Sequence, residues 1–364
     1  MKLNDITTFL ETIAPAALQE QYDNAGLITG DGDWECSGII CSLDATEEVV
    51  MEAMSKNCNL IVAHHPIIFS GLKKINGKNY VEKTIITAIK NDIAIYAIHT
   101  NLDNVLYGVS GHMAERLGLK NVTVLAQKNN TLKKLCTFVP VEKTDQVRSA
   151  IFNAGGGNIG NYSEVSFNSE GTGTFKANKG ANPFAGDVGK LHQEKETKIE
   201  VIFPDFLESS IIAALKKTHP YEEVAYDVIA LTNKNQEIGS GVIGELEFAI
   251  GENEFLTRVK EVFKAPLIRH TNFIGKPVKK IALCGGAGSF LISKALATKA
   301  DAYITADIKY HEFFDANGEI LIADIGHFES EQFTINLLQE ILDKKFPTFA
   351  VLKTEVKTNP VNYF

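Results

Sequence analysis

The chain has 364 residues, 45% apolar and 22% charged, a globular mix that excludes a mainly disordered protein. Its length allows roughly two to three domains of ~150 residues and a large buried core. A formal charge of −9 argues against a nucleic-acid-coating role, and no apolar run approaches the ~20 residues a membrane-spanning helix needs.

The opening segment, MKLNDITTFLETIAPAALQEQ, places Asp5 and Glu11 inside its apolar stretch and reads as an amphipathic helix, not a secretion signal. Apolar runs at Ser37–Leu43, Asn59–Ala63 and Ile93–Ile98 predict strands. Helical spacing at Thr46–Ser55, Tyr80–Lys90 and Val109–Leu117 predicts the helices between and after them. This alternation predicts βαβ units and mostly parallel sheets buried on both faces. Near Gln127 the texture turns polar, as in KNNTLKK. Beyond it a strand (Lys134–Val139), a helix (Thr144–Asn153), a hairpin within Glu164–Ala177, a strand (Lys198–Phe203), a helix (Leu207–Thr218) and a strand (Val224–Leu231) are expected. That order predicts a ferredoxin-like α+β module. The α/β rhythm resumes near Gly239. Strands are expected at Lys279–Cys284, Ala302–Thr305, Glu319–Ala323 and Phe349–Leu352, a glycine-rich turn at Gly285–Ser289, and helices at Phe290–Ala297 and Phe328–Asp343. The predicted fold class is therefore layered α/β. Its body is formed by residues 1–127 and 237–364, with an α+β module inserted at 128–236. Cys36, Cys41, Cys58, Cys136 and Cys284 show no CxxC spacing and read as reduced thiols of a cytoplasmic protein.

Ligands of such sheets bind beyond the carboxyl ends of the strands. NLIVA runs directly into His64-His65-Pro66, and adjacent residues of an extended chain point in different directions, so the pair can serve two metals. Taken alone, two packed or surface histidines are an equally good reading. The next strand ends in His99-Thr100-Asn101-Leu102-Asp103, where Asp103 is a ligand or a cap. A third strand leads to Asp324-Ile325-Gly326-His327-Phe328-Glu329-Ser330-Glu331. His327 and Glu331 share a helix face at i,i+4 and can grip one cation, whereas Glu329 points elsewhere. The competing role of Glu329 and Glu331 is a favourable charge at a helix N-terminus. Three strand ends thus deliver His64, His65, Asp103, His327 and Glu331. Three nitrogens and two carboxylates suit Zn, Fe, Mn, Co or Ni, and one bridging carboxylate suits two divalent ions per chain.

The motifs Tyr22–Leu27 (YDNAGL), Leu60–Pro66 (LIVAHHP), His99–Asp103 (HTNLD), Cys284–Ser289 (CGGAGS), Thr305–His311 (TADIKYH) and Gly326–Glu331 (GHFESE) resemble the GTP cyclohydrolase I type 2 homologue family, the NGG-interacting-factor-like proteins. The resemblance implies a dinuclear centre on the five residues above and a toroidal homohexamer with its metal sites facing an internal cavity. One departure is Thr305-Ala306-Asp307, where many members read T-G-D. His219–Asp227 (HPYEEVAYD) resembles the signature of an inserted module similar to PII and CutA proteins, with Val224 in place of the usual proline. For His219, Tyr221 and Glu222 a trimer-packing loop is favoured over a second metal site.

Asp23, Asn24 and Asp44 are candidates for hydrogen bonds to ligand histidines. His99 and His311 are the candidate catalytic residues, as acid–base groups. Lys309 and Tyr310 are candidates for contacting an anionic substrate; the Gly285–Ser289 turn opens a helix as a phosphate site does, but lacks the P-loop lysine-serine pair and the full dinucleotide fingerprint, so a tight turn is the favoured reading. The function expected is a metal-dependent hydrolase of a nucleotide or phosphoester, GTP-cyclohydrolase-like by resemblance. The alternative is a non-enzymatic metal carrier, insertion factor or sensor ring. Nucleic-acid binding would need lysines such as Lys73, Lys74 and Lys78 to line an opening, because phosphate neutralisation dominates it.

Overall fold

A computed structural model describes residues 1–364, which divide into two compact units, 1–126 with 237–364 and, separately, 127–236. The first unit holds two sheets. One runs in the order Gly26–Thr29, Ala94–Ala97, Leu60–Ala63, Ile39–Ser42, Val351–Lys353. Its first pair is antiparallel and the other three pairs are parallel. Side chains alternate between its faces. Ile39, Cys41, Leu60, Val62 and Tyr96 pack against Leu3, Ile6 and Leu10 of helix Leu3–Ile13 and Leu338 of helix Thr334–Lys345. Ile40, Ile61, Ala63 and Ile95 pack against helices Glu47–Ser55 and Tyr80–Lys90. Burial of both faces is why these strands read as continuous apolar runs.

The second sheet runs Arg269–His270, Leu321–Asp324, Ala302–Ala306, Val278–Ala287, Gly239–Ile250, Lys120–Gln127. The three strands from Leu321–Asp324 to Val278–Ala287 are parallel. Here too the alternation fills two cores. Ile281, Leu283 and Ile304 meet helices Val109–Leu117 and Glu252–Val262. Ala282, Tyr303 and Ile322 meet Leu291, Ile292 and Ala295. No helix is long and apolar enough to cross a membrane.

In the unit 127–236 the antiparallel order is Phe167–Lys176, Leu191–Pro204, Leu132–Pro140, Tyr226–Ala230. Leu135, Ile199, Val201 and Phe203 of that sheet form a core with Val147 and Ile151 of helix Thr144–Asn153 and Ile211 and Leu215 of helix Glu208–Thr218.

Several expected boundaries move. Glu164–Ala177 contains one strand, not a hairpin; its partner is Leu191–Pro204, far longer than Lys198–Phe203. The missed half, LHQEKET, has no apolar face to signal a strand. Gly285 and Gly286 belong to the strand Val278–Ala287, whose register shifts between Leu283 and Ala287, so they are not a free-standing phosphate-binding turn. The helix expected over Phe328–Asp343 is two helices, His327–Glu331 and Thr334–Lys345, with no glycine or proline to mark the break. Strands Lys120–Gln127 and Gly239–Ile250 and helix Glu252–Val262 lie outside the elements that the sequence predicts.

Candidate metal centre

Each predicted ligand leaves the carboxyl end of a parallel strand. His64 and His65 follow Leu60–Ala63; His99 and the short helix Thr100–Asp103 follow Ala94–Ala97; His327 and Glu331 lie beyond Leu321–Asp324. Two more strand ends contribute, Ile39–Ser42 through Asp44 and Ala302–Ala306 through Asp307. All of them belong to the unit 1–126 with 237–364.

The structure brings His64, His65, Asp103, His327 and Glu331 into one cluster. Glu331, almost fully buried, lies at its centre. Its Oε2 is 3.0 Å from His65 Nε2 and 3.0 Å from His327 Nε2. Its Oε1 is 3.8 Å from His64 Nε2, which is also 3.8 Å from Asp103 Oδ1. Two groups able to hold a cation share this carboxylate: His65, His327 and Glu331, and His64, Asp103 and Glu331. His99 stands beside them, its ring 5.3 Å from that of His64 and 5.4 Å from that of His65.

Every ring is fixed from behind. His64 Nδ1–H donates to the Ile98 carbonyl (2.9 Å), His65 Nδ1–H to Asp44 (2.8 Å), His327 Nδ1–H to Asp307 (2.7 Å) and His99 Nδ1–H to Asp23 (2.7 Å). Such partners set the tautomer that leaves Nε2 free to ligate. At His64 the consequence is sharp. Nε2 carries a lone pair, is fully buried and has no hydrogen-bond partner; neither does the buried Asp103 Oδ1. A buried acceptor 3.8 Å from two carboxylate oxygens and hydrogen-bonded to neither is costly. A cation would satisfy all three groups, so the donor set fits a divalent metal.

The electrostatics agree. Burial pushes the His64 pKa down, leaving it a neutral ligand. Burial and the neighbouring Glu331 charge push the Asp103 carboxyl well up. Burial also opposes ionisation of Glu331, but His327 and His65 outweigh it and hold this carboxyl well below its usual range. Burial lowers the pKa of His65 and His327, yet their carboxylate partners raise them to about 9 and about 11. Without a metal, protons on these two imidazoles balance Glu331.

Gly286 makes room for the arrangement. Its φ is +62°, and a Cβ there would run into Glu331 Oε1. The cluster forms the floor of a cleft of about 710 Å3 whose lining includes Tyr22, Phe69, Tyr80, His99 and Phe290. Asp23 accepts from His99 and from the Thr100 amide and hydroxyl. Asn24 donates to the Ile68 carbonyl instead of a ligand histidine. His311 is not brought to the cluster; it is exposed on the turn Tyr310–Ala316, packed on Tyr310 and Phe314, and Lys309 is exposed beside it. His219, Tyr221 and Glu222 are engaged with Phe138, Glu196 and Asn182 inside their own unit. Asp307 was missed by the sequence reading, although the rule that picked out Asp103, a carboxylate just after an apolar strand, applies to it equally.

A family model described as Duf34/NIF3 (NGG1p interacting factor 3) matches residues 1–360. A Halalkalibacterium halodurans protein named GTP cyclohydrolase 1 type 2 homolog is 40% identical, over 98% of this chain and 98% of its own length. A Bacillus subtilis protein of the same name is 38% identical, over 98% of this chain and 97% of its own. Among solved structures, a Bacillus cereus protein related to NIF3 superposes with a TM-score of 0.87 at 38% identity, covering 100% of this chain and 99% of that one.

Proposed function

Because the chain belongs to the Duf34/NIF3 family, we propose that the cluster holds two divalent cations bridged by Glu331, and that the protein is a metal-dependent hydrolase. His65 and His327 would hold one ion, and His64 and Asp103 the other. The observation that carries this reading is the division of one buried carboxylate between two ligand groups, one of which leaves His64 Nε2 and Asp103 Oδ1 without partners. Bound there, such ions would supply Lewis acidity and a water of lowered pKa.

The chain's own residues supply the rest. His99, oriented by Asp23, stands at the edge of the cluster, outside the two Glu331-centred groups though grouped with His64 and His65, and we assign it proton transfer to or from a reacting group. The exposed rings of Tyr22, Phe69, Tyr80 and Phe290 line the cleft and offer faces for a planar ring, which favours a nucleotide among phosphoester-type substrates. The homohexamer, and a CutA/PII-like role for the unit 127–236, belong to the same proposal.

The test is hydrolysis by protein reloaded with Zn, Fe, Mn, Co or Ni and offered GTP, other nucleotides and simple phosphoesters. Turnover should fall roughly 10²–10⁴-fold in His99→Ala with the metal content unchanged. Full metal occupancy with no turnover of any substrate would contradict the hydrolase and leave the carrier reading. One observation favours the latter: His327 is 41% exposed and its partner Asp307 54% exposed, an open arm through which an ion can exchange.

A further inference from the structure

The histidine supports are not equivalent. The Asp23 carboxylate behind His99 is locked by Thr100, its neighbour on the same loop. The Asp307 carboxylate behind His327 stands in solvent and accepts only from that ring. Asp44, behind His65, is held from the far end of the chain: Thr358 Oγ1–H donates to Asp44 Oδ2 at 2.6 Å while Oδ1 accepts from His65 at 2.8 Å.

Thr358 lies in a segment, residues 354–364, without helix or strand, that is nevertheless tied down from Thr354 to Asn359. The Thr354 amide donates to the Cys41 carbonyl (2.9 Å), the Glu355 amide to Glu52 (2.9 Å) and Asn359 Nδ2 to Glu329 (3.4 Å). Val356 packs on the core beneath the first sheet, and Thr358 and Pro360 form part of the cleft wall.

We propose that residues 354–360 are a strap and that Thr358 is a positioning residue. Through Asp44 it fixes the His65 ring and so controls one of the two cation sites selectively. This rests on the two-cation reading for its consequence, but not for the positioning itself. Asp44 has two oxygens; with Oδ2 released, the carboxylate can turn about its side-chain torsions and no longer presents Oδ1 to Nδ1 in one orientation. His64 is held by a backbone carbonyl, which no side-chain change on the strap can release. Loss of the strap therefore loosens the group of His65, His327 and Glu331 and spares the group of His64, Asp103 and Glu331. Removing a hydrogen-bond partner of a ligand histidine typically costs 10–100-fold in metal affinity.

The experiment compares full-length protein with Thr358→Val and Thr358→Ser in two measurements. In metal-free protein with 15N-labelled histidine, the Nδ1–H resonance of His65 should broaden or exchange faster in Thr358→Val. That of His64 should stay, and Thr358→Ser should restore the original spectrum. In a Co(II) titration, one of two ions should bind more weakly in Thr358→Val alone, by up to the ~10–100-fold that loss of the histidine's own partner costs. An unchanged His65 resonance in Thr358→Val, or equal weakening of both ions, overturns the strap. Should the unaltered protein bind no Co(II), the two-cation reading fails, and the histidine resonances still decide the positioning role.

Discussion

Glu331 has to be ionised, buried and unencumbered on two sides, and the residues around it satisfy each demand separately. Gly286 provides the space, so Gly286→Ala should weaken cation binding in a metal titration. An L-residue in that left-handed conformation should also cost about 1–2 kcal/mol in denaturant unfolding; unchanged metal affinity would contradict its role. His65 and His327 provide the compensating charge when no metal is bound. Their pKa values are raised on folding, so the stability they contribute is complete below the ordinary histidine pKa of 6.5. It is lost as pH rises through about 9 for His65 and about 11 for His327. Metal-free protein should therefore unfold at lower denaturant concentration at pH 9.5 than at pH 6.5, and saturating metal should flatten that dependence. A flat profile without metal would mean that these imidazoles do not carry the balancing protons. His64, His65, Asp103, Asp44 and His327 were legible because each lies just beyond an apolar run, Glu331 through its i,i+4 spacing from His327, and Asp23 through its place in a turn near the first sheet. Thr358 was not, since 314 residues separate it from Asp44 and nothing local marks it.

The elements that carry these side chains are short parallel strands buried on both faces, and their stiffness is what holds five strand ends in register. Ile61, at 0% exposure in the middle of Leu60–Ala63, anchors the strand that delivers His64 and His65. Ile61→Ala should cost about 2–5 kcal/mol of stability, read by urea unfolding. A loss under 1 kcal/mol would mean that the strand is not held by this core. Such strands are readable because their composition is continuous and apolar. Leu191–Pro204 was not, because its first half is polar on both sides and gains its place only by pairing with Phe167–Lys176. The break after Glu331 was also hidden. It lets His327–Glu331 lie against strands Val278–Ala287 and Ala302–Ala306 while Thr334–Lys345 turns its apolar side, Leu338 and Leu342, to the other core.

At the scale of the molecule, one unit is assembled from two distant stretches, 1–126 and 237–364, and the candidate site needs both: His64, His65 and Asp103 come from the first, His327 and Glu331 from the second. Neither stretch alone carries both halves of either Glu331-centred group, so the proposed pair of cation sites needs the two stretches to fold together. The homohexamer, in the same proposal, predicts a sedimentation mass near six times the 39.9 kDa chain; a monomer at micromolar concentration would contradict it. The charge of −9 predicts no salt-dependent affinity for duplex DNA. The most direct test of the central claim is bound metal per chain, after metal-free purification and controlled reloading, in the unaltered protein and in Glu331→Gln. The account predicts about two ions per chain in the first and loss of both in the second, because one carboxylate serves both groups. Near-zero metal in the unaltered protein, or two ions retained without the Glu331 charge, would contradict it.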